Sequence, residues 1–288
     1  MKVSPECVPC LLNRLLYEVN LVDPGSAGKV MKEACSILGS DLSSDICSAE
    51  IATRVHHRTY EILGCIDPYE KVKEIATTVC MQLQSKAQAL IRESDNRLST
   101  AVLCAIVGNV LDFGIVGGMT RPEELVAGFD AIYHEGLGVD DTEKAKKYLT
   151  PEAKILYLAD NCGEIVFDKL LCSELKPFGV SITFVVKGEP ILSDATLLEA
   201  DQITMSEVVD KIITTGGYAV GFDIKNIPPE LATELHNADL IISKGMANLE
   251  ALSETSYRPI WYLMRTKCNP VAAAVGEERN LNVAKLFE

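Results

Sequence analysis

Apolar positions in the first half of the chain recur at helical spacing. Residues 5–20 (PECVPCLLNRLLYEVN), 26–38, 48–63, 68–92, 97–112, 121–135 and 141–149 each place an apolar side chain every third or fourth residue, with turn residues between them. Asp67-Pro68 reads as an N-cap followed by Pro at the first helical position, and Gly64 as the stop of the preceding helix. Arg121-Pro122-Glu123 opens another helix in the same way.

Beyond residue 150 the pattern changes. KILYLA (154–159), SITFVVK (181–187), KIITTG (211–216), DLIISK (239–244) and PIWYLM (259–264) are short, β-rich and continuously apolar, as expected of strands covered on both faces. Helical stretches such as 164–176 and 228–237 lie between them. Strands alternating with helices imply a parallel sheet with right-handed crossovers. The expected fold class is α/β, a Rossmann-like parallel-sheet core over 151–288 preceded by an all-helical accessory domain over 1–150. The boundary falls at Leu149-Thr150-Pro151.

In an open parallel sheet ligands bind beyond the carboxyl ends of the strands, and each expected mouth loop carries polar chemistry. Asp160, Asn161 and Glu164 follow the first strand, and Lys187 and Asp194 follow the second. Gly216-Gly217 follows the third, Lys244 and Asn248 the fourth, and Arg265 and Lys267 the fifth. Asp160, Asn161 and Asp194 offer oxygen ligands that suit Mg²⁺ or Mn²⁺. Lys244, Arg265 and Lys267 offer positive charge for an anion, and the glycine pair lets backbone amides approach it. A divalent cation beside such groups is what phosphoryl chemistry needs. Taken singly, each loop has an ordinary reading: Asp-Asn-Cys-Gly is also a turn and helix cap, and Lys-Gly a common strand exit. No GxGxxG, GxxxxGK[ST] or GxSxG spacing is present.

Other candidates carry less. His56-His57 are adjacent in a helix, so their side chains diverge by about 100° and do not share one ion. Asn109 and Asp112 stand at i, i+3 near a helix end, where they serve either as a cap or as a contribution to the cleft.

Ten cysteines in a chain without a secretory signal pattern are expected to be reduced thiols, most of them in the core. Cys7 and Cys10 form a CxxC with no second pair to complete a zinc site, which leaves it a structural or accessory role. The net charge of −14 argues against a nucleic-acid or anionic-membrane partner, while a small anion needs only a few local cations. No apolar run reaches the length of a membrane span, and a cytoplasmic location is expected.

The motifs DNCGE (160–164), SDAT (193–196), SKGMANLE (243–250) and RTKC (265–268) together resemble the damage-control phosphatase family, formerly domain of unknown function 89. CVPC (7–10), RTYEILGCIDPYEKVK (58–73) and GNVLDFG (108–114) are similar to its archaeal, CxxC-bearing branch, so the resemblance covers essentially the whole chain. It implies a metal-dependent phosphatase acting on small phosphorylated metabolites, including sugar phosphates, with Mn²⁺, Mg²⁺, Co²⁺ or Ni²⁺. It also implies roles for the matching residues: Asp160, Asn161 and Asp194 as metal ligands, with Asp160, Asn161 and Lys244 carrying the catalysis. Lys244 would bind the phosphate, Glu164 and Asn248 would line the cleft, and Arg265 and Asn109 would be further substrate contacts. Cys162, beside the ligand pair, would favour softer ions. Two alternatives stay open: an AdoMet-dependent carboxyl methyltransferase on the same core, and a non-enzymatic metal- or metabolite-binding module. The substrate, the nucleophile and the oligomeric state are not legible in these residues.

Overall fold

The computed structural model describes residues 1–43, 45–109 and 122–288, with the side chains of 122–126 left aside. Helices α1 (Cys7–Val22), α2 (Ala27–Asp41), α3 (Ser48–Leu63), α4 (Glu70–Glu93), α5 (Arg97–Gly108) and α6 (Pro122–Glu135) come first. The chain continues through β1 (Val139–Asp140), α7 (Thr142–Ala145), β2 (Lys154–Leu158), α8 (Ile165–Leu175), β3 (Ser181–Val186), α9 (Leu197–Gln202) and β4 (Lys211–Thr214). It ends in α10 (Pro229–Asn237), β5 (Leu240–Lys244), α11 (Gly245–Leu252), β6 (Ile260–Arg265), α12 (Asn269–Val275) and β7 (Asn282–Phe287). The expected helix ending at 112 and the Arg121 opening fall partly outside the described residues, as do Asp112 and most of GNVLDFG.

The strands form one seven-stranded sheet in the order β1-β7-β6-β5-β2-β3-β4. All neighbours are parallel except β6 and β7, which run antiparallel. All five expected strands are present, and β1 and β7 add to them. The reason for their unbroken apolar character is visible in the core. Ile155 and Tyr157 of β2, Ile182 and Phe184 of β3, and Trp261 and Leu263 of β6 face one hydrophobic cluster. Leu156, Leu158, Val185, Ile260 and Tyr262 face the other. Period-2 alternation therefore sends successive apolar side chains into one layer or its opposite.

Helices α4, α5 and α8 supply the first layer, and α10, α11 and α12 the second. The first layer is continuous across residue 150, joining Val79, Val102 and Ile106 to the sheet. Helices α1, α2 and α3 pack around a separate cluster that includes Leu15, Val30 and Val55. Gly64 ends α3 in the left-handed region with φ 59°, as its position implies. Helix α4 opens two residues later than expected, at Glu70 with Tyr69 in the N-cap position, and Asp67 Oδ1 accepts from Tyr69 N at 3.0 Å in the turn before it. Among the described residues no helix is long and apolar enough to cross a membrane.

Chain order along the sheet reverses between β2 and β5, because β3 and β4 lie to one side of β2 while β5 and β6 lie to the other. The crevice beyond the carboxyl ends of strands at such a switch point is where an α/β sheet binds ligands. Asp160 follows the end of β2, and Lys244 is the last residue of β5.

Candidate active site

Two carboxylates from different loops meet at that crevice. Asp160 and Asn161 leave β2, and Asp194 lies in the loop from β3 to α9. An isolated antiparallel bridge pairs Asn161 with Asp194, and Ala195 N donates to Asp160 O at 2.8 Å. All three side chains are buried. Burial, then the charges of Asp194 and Glu164, push the Asp160 carboxyl well above the usual carboxylate range, against the opposing pull of Lys187 and Lys267. Lys187 Nζ pairs with Asp194 Oδ2 at 3.2 Å and donates to the Gly221 carbonyl.

Amides fix the first carboxylate. Asn109 Nδ2 donates to Asp160 Oδ2 and to Glu164 Oε2, both at 2.8 Å. Asn161 Nδ2 donates to the same two oxygens at 3.0 Å, and its Oδ1 accepts from Ser193 Oγ at 2.8 Å. Asn109 Oδ1 is buried and has no hydrogen-bond partner among the described residues. Asn109 is therefore at the centre of the cluster, reached from the end of α5.

Glu164 links this group to a deeper one. Its Oε1 accepts from Lys244 Nζ, which also donates to Asp168 Oδ1 at 2.7 Å and to the Ala105 carbonyl at 3.0 Å. Lys244 has no exposed surface, and its three N–H groups have three acceptors. The phosphate contact that the resemblance implies for Lys244 is not what this geometry provides. Tyr157 Oη donates to Asp168 Oδ1 at 2.7 Å. Burial first, and Glu164 with it, raise the Asp168 carboxyl to about 7 against the pull of Lys244. Asp168 stands one helical turn after Glu164 in the buried run IVFDKLL, an i, i+4 spacing that sequence reading passed over.

The other candidates sort by position. Asn248 Nδ2 donates to the Ala159 and Lys244 carbonyls, both at 2.9 Å, so it ties α11 to the two strand ends and is buried while doing so. Arg265 turns away: its Nη1 donates to Glu135 Oε2 at 2.6 Å and Asn282 Oδ1 at 3.0 Å, and none of its bonds reaches the acidic pair. Lys267, half-buried, donates to the Asn109 carbonyl at 2.6 Å and acts on the Asp160 charge. Gly216 packs on the Pro228 ring, where a Cβ would come within 2.5 Å of its Cγ.

His56 is buried against Glu18 at 2.8 Å and His57 is exposed, so the pair shares no ion. The Cys162 thiol is buried and donates to the Lys73 carbonyl, facing away from the carboxylates it follows in sequence. Among the described residues no three His, Cys, Asp or Glu side chains surround a cation position. The oxygen set here consists of two carboxylates and the amides of Asn161 and Asn109.

Comparison with known proteins gives a consistent result along the chain. Residues 3–283 match the family described as the damage-control phosphatase ARMT1-like domain. A protein of Archaeoglobus fulgidus named damage-control phosphatase is 41% identical over 100% of both chains. Damage-control phosphatase PH1575 of Pyrococcus horikoshii is 29% identical over 94% of this chain and 93% of that one. The crystal structure of that DUF89 family protein superposes with a TM-score of 0.88, at 27% identity over 100% of each chain.

Proposed function

The chain belongs to the damage-control phosphatase ARMT1-like family, and from that premise we propose a metal-dependent phosphomonoester hydrolase acting on small phosphorylated metabolites, sugar phosphates among them. The observation that carries this reading is the apposition of Asp160 and Asp194, two buried carboxylates on separate loops joined by the Asn161–Asp194 bridge. Burial, and after it the charges of Asp194 and Glu164, disfavour the ionised Asp160 carboxyl, and a cation bound between the two carboxylates would offset both effects.

The donor set fits a hard divalent cation, Mn²⁺ or Mg²⁺, with Co²⁺ and Ni²⁺ as substitutes. Asp160 and Asp194 would hold it with Asn161, whose Oδ1 keeps one lone pair after accepting from Ser193. Bound there, the cation supplies Lewis-acid polarisation and positive charge for the phosphoryl group. The chain's own residues do the rest. Asn109 and Asn161 hold the Asp160 carboxylate in one orientation. Glu164 holds both of those amides, and Lys244 holds Glu164. In this reading Lys244 is a positioning residue, and Lys267 is the cation that meets the phosphoryl oxygens.

The test is phosphate release from p-nitrophenyl phosphate and a panel of sugar phosphates, with and without Mn²⁺. Metal-stimulated release is expected, and Asp160→Ala and Asp194→Ala should each abolish it while the thermal transition is retained. No stimulated release from any compound, or full activity in either variant, would overturn the reading. Calorimetry with AdoMet should show no binding.

A further inference from the structure

A cavity of about 530 Å³ opens beside the loop that carries Asp194. Its walls come from α3, through His57, Tyr60 and Glu61, and from the loops after β3 and β4, through Glu189, Pro190 and Tyr218. The ring centroids of His57 and Tyr218 lie 5.2 Å apart, and Tyr60 meets Tyr218 edge-on at 5.6 Å. Tyr218 presents a half-buried ring whose hydroxyl has no hydrogen-bond partner among the described residues. Glu189 is exposed and in no ion pair among the described residues, whereas Glu61 is paired with Arg58 at 2.9 Å.

The cavity and the acidic pair share one short piece of chain. Pro190 lines the cavity, and Tyr60 Oη accepts from Leu192 N at 3.1 Å. Ser193 then bonds Asn161, and Asp194 pairs with Lys187. Four residue steps lead from Pro190 to Asp194, which limits their separation to about 14 Å. The bond from Asp194 N to Ile191 O, 3.1 Å long, turns the chain and makes it shorter. A ring held one sugar away from a phosphoryl group at Asp160 and Asp194 reaches that far.

We propose that this cavity is the subsite for the organic half of the substrate, and that it takes a planar ring carrying an N–H donor or a positive charge. Ring faces from His57 and Tyr218 stack such a group, and Glu189 accepts its donor edge. The inference rests on the phosphatase reading and narrows its substrate class.

AMP and ribose 5-phosphate are the probes, since they differ by the adenine ring alone. With Mn²⁺ present, kcat/KM should favour AMP by about tenfold or more. Tyr218→Ala and Glu189→Gln should each remove most of that preference by raising KM for AMP, with ribose 5-phosphate kinetics unchanged. Equal kcat/KM for the two compounds in the wild type, or a variant effect equal on both, would overturn the subsite. Adenosine binding, followed by NMR of the His57 and Tyr218 ring signals, decides the case in which neither phosphate is released. Binding that Tyr218→Ala abolishes sustains the cavity even if p-nitrophenyl phosphate is also inert and the phosphatase reading falls. No adenosine binding there overturns the subsite whatever else the protein hydrolyses.

Discussion

Lys244 lies among Glu164, Asp168 and the Ala105 carbonyl with no exposed surface, and it stays charged there. Burial by itself would lower the pKa of its ammonium, but the two carboxylates outweigh burial and raise it. Lys244→Met is expected to reduce unfolding free energy by about 3–5 kcal/mol, because Glu164 and Asp168 are left buried without a cation. A second change, Asp168→Leu, should recover part of that loss. Urea denaturation reads both, and an unchanged midpoint in the single variant would show that the ammonium is not held in this network.

The next residue explains why SKG ends in glycine. A Cβ at Gly245 would lie 1.9 Å from Asp160 Oδ2, and its φ is +71°. At this scale the sequence was readable where polar groups cluster in the loops that follow strands, as in DNCGE and SDAT. It was not readable where direction matters: Arg265 ends a strand at the right edge yet bonds Glu135. Asp168 escaped notice because a carboxylate inside IVFDKLL looks like a lapse in an apolar helix until its partner lysine, 76 residues on, is known.

Elements bring these residues within reach of one another. Helix α5 can deliver Asn109 because Gly108 lets it approach α8, where a Cβ would be 2.6 Å from Phe167 Cδ2. Helix α4 is tied to α9 by Lys73, whose Nζ pairs with Glu199 at 2.8 Å and Asp67 at 2.9 Å. Burial favours the neutral form of both Lys73 and Glu199, yet their mutual attraction wins, raising the lysine and lowering the glutamate. The depressed Glu199 contributes stability that is present above its ordinary value of 4.5 and lost as pH falls through its lower folded value. The raised Lys73 contributes stability that is present below 10.5 and lost as pH rises through its higher folded value. The stability difference between wild type and Lys73→Met should therefore be level across neutral pH and shrink at both ends, as denaturation midpoints at several pH values will show. A difference that grows below pH 4.5 would exclude the pair as its source.

Strands β2, β3, β5 and β6 were legible because both faces are buried and the apolar runs are unbroken, whereas β4, an edge strand that is mostly half-buried, showed only in its β-rich run. Strand β7 was not, since its last three residues are only half-buried, and β1 has two residues and no pattern to detect.

At the scale of the whole molecule, charge sets the condition for binding an anion. The chain carries −14, so a phosphorylated compound approaches an unfavourable long-range field. The crevice does not correct this unaided. Asp160, Asp194, Glu164 and Asp168 face Lys187, Lys244 and Lys267, which leaves one negative charge when all are ionised. A divalent cation at Asp160 and Asp194, as proposed, would turn that balance to one positive charge. Inorganic phosphate should therefore bind in calorimetry when Mn²⁺ is present and give no measurable heat after EDTA treatment. Salt separates the two contributions. Between about 0.01 M and 0.15 M ionic strength the Debye length falls from about 30 Å to about 8 Å, which screens the distant surface charge far more than a buried contact. Phosphate affinity with Mn²⁺ should consequently hold or rise over that range. A steep fall would mean that exposed lysines hold the anion, and affinity untouched by EDTA would mean that the cation at Asp160 and Asp194 takes no part in holding it.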